Sequence, residues 1–312
     1  MSRHYIIEVP VNSSPIQHLA KINQMDGINI ILYGGIPNSP LNGGRNNFVL
    51  DRCLLFGRFL FSISTKQFST AMKRFYENID KANSNGIPFF LAVTNMFVSQ
   101  EELNEENLYP IDRLVEISRK YGVKNGLILN NRLLENHVRQ KYGGDLVYVS
   151  SCTKYSSPER ILSSTETLKM YLEDIKNYDY VVLTPQDSRR QRVITDAVKE
   201  CPEKIIAICN SYCSNTCNCY HHYELFSLEN KKSLLSIKAG DILIRSILFM
   251  APRLTTCSAV TEAFCRSNYK KIAQMQLRSG VGNFKLGRGF GDDFLDRLVK
   301  IIRDFRSSGT LL

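Results

Sequence analysis

The stretch CNSYCSNTCNC places Cys209, Cys213, Cys217 and Cys219 close together, followed at once by Tyr220, His221 and His222. Thiolate sulfurs favour zinc or an iron–sulfur cluster, and gaps of two to four residues let one loop supply two ligands without strain. A further ligand then has to come from a distant loop. Cys257 in Leu254-Thr255-Thr256-Cys257 is the natural donor, with Cys265 a weaker one. His221 or His222 would complete a zinc site, although adjacent histidines also serve as surface or substrate contacts. The spacing alone does not separate iron from zinc, and crowded but unligated thiols are the bland alternative. It does differ from the gaps usual in clusters that bind S-adenosylmethionine. The chain holds nine cysteines; that odd count argues against a secreted disulfide framework and leaves reduced thiols available for metal.

Other residue types suggest anion binding. Gly34, Gly35, Gly43 and Gly44 lie in a Gly-, Asn- and Pro-rich segment from Gly34 to Arg45, where backbone amides could meet an anionic substrate and Arg45 could anchor it in bidentate fashion. The competing reading is a turn-rich connection with a surface arginine. Lys285 and Arg288 follow the last strand-like run, a position where barrels often bind phosphate or carboxylate. The spacing of Gly287, Gly289 and Gly291 falls short of a dinucleotide fingerprint, because it closes the chain instead of opening a βαβ unit. Asn95 and Asn210 sit where strands turn into loops and could orient substrate. Asp187 reads as the start of a helix, where a carboxylate is favoured electrostatically.

These residues need elements to position them. Short apolar runs alternate with segments of helical period. Residues 28–33, 88–93, 126–129, 146–149, 180–183 and 205–208 read as six buried strands. Phe68, Met72, Phe75 and Ile79 mark one helix face; further helices are expected after Pro110, from Arg132, over 164–176, after Gln186 and over 292–305. Strands apolar on both faces and separated by helices imply a parallel sheet covered on both sides. With 283–286 as a closing strand, the pattern predicts an α/β fold, a (β/α)8 TIM-like barrel, with a poorly marked seventh strand around 242–249. Residues 1–312 then form a single barrel domain, and Asn95, Asn130, Ser150, Thr184, Asn210 and Arg288 fall on its C-terminal rim, where barrel active sites lie.

Composition bounds the partners. The 312 residues are 43% hydrophobic and 22% charged, which suits a globular core. No apolar run approaches the roughly 18 to 20 residues that span a bilayer, and the N-terminal stretch lacks the pattern of a secretory signal, so no membrane association and a cytoplasmic location are expected. The formal charge of +10 suits an anionic partner. Lysines and arginines are scattered over amphipathic segments with only short clusters such as Arg189-Arg190-Gln191-Arg192, so a small anionic molecule is favoured over nucleic acid.

Four stretches together resemble a known family: Tyr33-Gly34-Gly35-Ile36-Pro37 with Gly43-Gly44-Arg45; Asn95 closing 89–94; Asn210-Ser211-Tyr212-Cys213 with Cys217 and His222-Tyr223; and the run from Gly280 to Arg288. They look like the collagenase-like peptidase (U32) family, in its shorter barrel-only branch. The resemblance spans most of the chain and implies a barrel carrying a 4Fe-4S cluster, with zinc the alternative. Cys213, Cys217 and Cys257 carry over best as ligands, with Cys209, Cys219 or a non-cysteine group as the fourth. Arg45, Asn95, Asn210, His222, Lys285 and Arg288 are the implied substrate contacts. The stretch after Cys217 departs from the branch: it reads Asn218-Cys219-Tyr220-His221 where Pro and a basic residue are typical.

The family branch implies oxygen-independent hydroxylation of a small metabolite or biosynthetic intermediate, often in two-subunit complexes, so a protein partner or homo-oligomer is expected. A non-catalytic metal-containing subunit and a U32-type peptidase are the alternatives. The sequence holds neither a GxSxG elbow nor an HExxH helix.

Overall fold

The structure, a computed structural model, describes residues 4–11, 13–37, 39–44, 65–155, 164–210, 220–231, 259–287 and 293–308. Eight parallel strands close into a barrel in sequence order: β1 (Tyr5–Pro10), β2 (Ile28–Gly34), β3 (Phe89–Val93), β4 (Gly126–Leu129), β5 (Val147–Ser150), β6 (Tyr180–Val182), β7 (Ile205–Ile208) and β8 (Asn283–Lys285). The described helices are α1 (Ile16–Asn23), α2 (Thr65–Ser84), α3 (Glu105–Tyr121), α4 (Arg132–Tyr142), α5 (Ser164–Asn177), α6 (Gln191–Glu200), α7 (Tyr220–Lys231), α8 (Ala259–Arg278) and α9 (Asp293–Ser307). The (β/α)8 architecture expected from the alternation is therefore present.

One strand differs in place from the expectation. The ring is completed at its start by Tyr5–Pro10, which pairs with both β2 and β8. Residues 242–249 lie outside the described residues, and Ile206 pairs directly with Asn283, so the ring has no gap there for a strand between β7 and β8. The first strand escapes the apolar-run pattern because Glu8 interrupts it.

α3 also begins earlier than Pro110 suggests. Asn104 caps it by accepting from the Asn107 amide at 3.0 Å, and Glu105 and Glu106 occupy its first turn, where the helix dipole favours negative charge. These terms offset the one backbone bond that Pro110 removes near the helix start. The helix stops at Gly122, whose φ of 64° suits a residue without a Cβ.

The strands are buried on both faces because two apolar layers meet them. Outward side chains such as Ile7, Ile30, Leu91 and Leu127 pack against helix residues including Leu114, Val138 and Leu298. In α9 the stripe Phe294, Leu295, Leu298, Val299 and Ile302 returns every third to fourth residue and faces this layer. Each such side chain contributes about 1.5–3 kcal/mol when removed from water. Inward side chains form a second cluster along the axis, with Ile31, Tyr33, Phe90, Ile128, Val149, Val182, Ile206 and Ile208 at its centre. Among the described residues no helix is long and apolar enough to cross a membrane.

Candidate functional site

The barrel interior is apolar except where β1 and β8 meet. Strand stagger places inward side chains in layers drawn from alternate strands. Followed round the ring, the pairings put Glu8, Phe90, Val149 and Ile206 in one layer, and Tyr33, Ile128, Val182 and Lys285 in the next layer toward the C-terminal mouth. Lys285 donates to Glu8 in an ion pair whose side chains are 11% and 0% exposed respectively. The Lys285 ammonium also lies 3.7 Å from the centroid of the Tyr33 ring, while the Tyr33 hydroxyl donates to the Leu286 carbonyl at 2.6 Å. The lysine expected to hold a substrate anion is thus already matched by an internal carboxylate.

Glu8 is the residue that sequence reasoning missed. Its signal was a lone carboxylate within the otherwise apolar Tyr5-Ile6-Ile7-Glu8-Val9. Branched apolar side chains ordinarily fill this part of a barrel. The second carboxylate oxygen, Oε1, is buried and finds no hydrogen-bond partner among the described residues.

Closer to the mouth, Asn210 follows Ile206 and Ile208 on the inward alternation of β7, and Asn130 follows Ile128 on β4. The fully buried Asn210 accepts from the Gly287 amide at 2.5 Å through Oδ1, joining the ends of β7 and β8. Its Nδ2, like that of Asn130, is buried without a partner among the described residues. A β-carbon at Gly287 would stand 3.2 Å from the Asn210 carbonyl oxygen, so this close approach favours glycine.

Asn95 has a different arrangement. Its Nδ2 donates to the Pro40 carbonyl at 2.6 Å and the Ser227 carbonyl at 2.8 Å, and its Oδ1 accepts from the Phe97 amide at 2.8 Å. These bonds join the loops after β2 and β3 to α7. The same docking is reinforced by Asn230, which donates to the carbonyls of Asn42 at 2.8 Å and Gly44 at 2.9 Å. Lys231 donates to the Phe97 carbonyl at 2.8 Å and pairs with Glu102 at 3.1 Å. The C-terminal end of α7 is therefore fixed on the β2–β3 side of the mouth, opposite β7 in the ring. His222 belongs to the first turn of this helix.

Two rim residues turn away from the mouth into satisfied networks. Ser150 donates to Asp174 at 2.7 Å, and Thr184 donates to Asp187 at 3.0 Å. Asp187, read from sequence as a helix start, is buried and also accepts from the Tyr171 hydroxyl at 2.8 Å. Burial, with Asp187 beside it, pushes the Tyr171 hydroxyl well above the usual tyrosine range.

Cys209 lies on the outward face of β7 beside Ala207, inside the helix-facing core, and is 1% exposed. Burial pushes its thiol far above the usual cysteine range, which disfavours the thiolate that a metal needs. Arg45, Cys213, Cys217, Cys219, Cys257 and Arg288 lie outside the described residues. Among the described residues no group of three or more His, Cys, Asp or Glu side chains is arranged to hold a metal ion.

No family model matches the chain, and no curated protein matches it at a significant level. Among solved structures the chain is similar to that of the U32 peptidase Mk0906, with 12% identity, a TM-score of 0.47, and coverage of 93% of this chain and 94% of that one. A similarity at this level assigns no residue a role.

Proposed function

We propose that the chain is a barrel enzyme that uses a thiolate-held 4Fe-4S cluster for an oxygen-independent redox modification of a small anionic molecule, hydroxylation being the specific form. The observation that carries this reading is Asn210: a buried side chain whose Nδ2 has no partner among the described residues, at the end of β7 immediately before the cysteine-rich stretch. Three peptide units separate it from Cys213, a reach of at most about 11 Å between Cα atoms. Cys257 precedes the first residue of α8 by two positions. In a barrel the helix before a strand begins on the mouth side, so the start of α8 supports taking this second cysteine as a ligand.

Cys213, Cys217 and Cys257 would hold the cluster, with Cys219 as the fourth donor. The placement of Cys209 makes it the least suited of the five candidates. Four thiolates form a soft donor set that fits iron–sulfur, and zinc is the alternative occupant. When bound, the cluster would supply electron transfer or Lewis acidity. The chain's own residues supply the rest. Arg45 and Arg288 would hold the substrate anion, since Lys285 is matched by Glu8. Asn210 would donate from Nδ2 to a substrate acceptor, and His222 would be a further substrate contact. A protein partner or second copy of the chain would complete the assembly.

The test is visible absorbance of anaerobically purified wild type, Cys213→Ala, Cys217→Ala and Cys209→Ser. A broad band near roughly 400 nm that disappears in the first two variants and persists in the third is the expected result. A band unaffected by Cys213→Ala and Cys217→Ala would remove the assigned ligands.

A further inference from the structure

The end of the barrel opposite the mouth holds a cavity of about 730 Å3, lined from the N-terminal ends of β1, β2, β6, β7 and β8 and the segments that lead into them. That size lies within the roughly 300–1,000 Å3 usual for small-molecule sites. Barrel active sites lie at the C-terminal face, whereas the N-terminal face ordinarily serves stability. The cavity is therefore separate from the site at the mouth.

Its floor is largely apolar. Ile6 and Tyr180, both packed against the inward-facing cluster of the barrel, line it together with Val198 near the end of α6. Two polar groups interrupt this floor. Asn283, 3% exposed, donates from Nδ2 to the carbonyls of Glu203 at 2.7 Å and Ile205 at 3.2 Å, which leaves its oxygen as the group for a ligand donor. Burial, with Asp179 and Glu8 nearby, pushes the Tyr180 hydroxyl above the usual tyrosine range, so it stays protonated and can donate. One acceptor and one donor on an apolar floor match the N–H and C=O of a peptide group.

The lining also carries both signs of charge, and the contacts within the protein separate the charged groups into two kinds. Asp179 accepts from the Tyr148 amide at 2.8 Å, and Lys204 donates to the Ile175 carbonyl at 2.8 Å, so both are committed to backbone. Lys199 and Glu203 hold looser partners. The Lys199 side chain is 70% exposed and stands 3.7 Å from Asp196, beyond hydrogen-bond length. Glu203 accepts from the Cys201 thiol, a weak donor, at 2.8 Å. Each can turn toward a ligand at little cost, because an exposed ion pair or thiol contact contributes little.

We infer that this cavity binds a dipeptide-sized apolar peptide with both ends free. Lys199 meets its carboxylate and Glu203 its ammonium, Tyr180 and Asn283 meet the peptide group, and Ile6 and Val198 take up the side chains. The site goes beyond the proposed function and does not depend on it, since it lies at the other end of the barrel and uses no metal.

The experiment uses the full chain and ligand-observed NMR saturation transfer with three matched probes: L-leucyl-L-phenylalanine, its N-acetyl derivative and its C-terminal amide. The second has lost the ammonium and the third the carboxylate. Transfer to the free dipeptide several-fold above that to either blocked form is the expected result, with that preference lost in Lys199→Ala and in Glu203→Gln. Both positions are exposed, so neither substitution threatens the fold. Equal transfer to the free dipeptide and either blocked form, including none to any probe, overturns the site. A preference that survives either substitution also overturns it, and places peptide binding elsewhere on the protein.

Discussion

At the scale of single residues, the barrel sets two acidic side chains apart. Asp187 and its neighbours form a satisfied network, whereas one carboxylate oxygen of Glu8 has no partner among the described residues. Glu8→Gln removes the counter-charge of a lysine whose side chain is only 11% exposed, so the variant is expected to lose about 3–5 kcal/mol in urea unfolding. A loss under roughly 0.5 kcal/mol would mean that water already reaches Lys285. The tyrosines add a pH dependence. Burial pushes Tyr142 and Tyr76 up to about 12, from the usual 10.0. The unfolded chain therefore loses these protons first as pH rises. Their stabilising contribution is fully present below pH 10, shrinks between about 10 and 12, and is exhausted above. Urea midpoints across that range should fall for wild type, and less steeply for Tyr142→Phe. Cysteine spacing suggests chelation from the sequence alone; the partner of Lys285 was not legible there, because a contact between residues 8 and 285 depends on barrel closure.

At the scale of elements, the strands announced themselves by apolar runs and the helices by period, which is why seven of the eight strands were legible before the structure. The eighth was hidden by its buried carboxylate: Glu8 breaks the run that would mark β1. The opposite substitution of role occurred at Asn95. A strand-end asparagine suggests substrate contact, yet three hydrogen bonds commit it to joining α7 to the loops after β2 and β3. Asn95→Ala should cost about 1–3 kcal/mol, because it leaves buried carbonyls unmet. It should also speed amide hydrogen exchange in Tyr220–Lys231 more than in the β-strands; uniform protection would show that Asn230 and Lys231 hold the helix without it. Gly43 is a tighter constraint. A β-carbon there would stand 1.9 Å from the Thr94 carbonyl oxygen, so Gly43→Ala must displace backbone. Its melting temperature should fall by several degrees, whereas Gly44→Ala, with nothing within 4 Å, should be nearly neutral.

At the scale of the whole molecule, closure of eight parallel strands brings the ends of β7, β8 and β1 to one side of the mouth, and α7 docks opposite. Segments distant in sequence thereby meet around one mouth, as Asn210 after β7 does with Gly287 after β8. The fold class was legible because it follows from alternation alone; the pairing of Lys285 with Glu8 was not, because an ion pair between distant segments is a tertiary fact. The central claim, a thiolate-held 4Fe-4S cluster, is tested most directly by iron, acid-labile sulfide and zinc per chain in protein purified without oxygen. About four irons and four sulfides per chain, with little zinc, is the predicted result. Stoichiometric zinc without sulfide, or a folded protein holding neither metal, would contradict it.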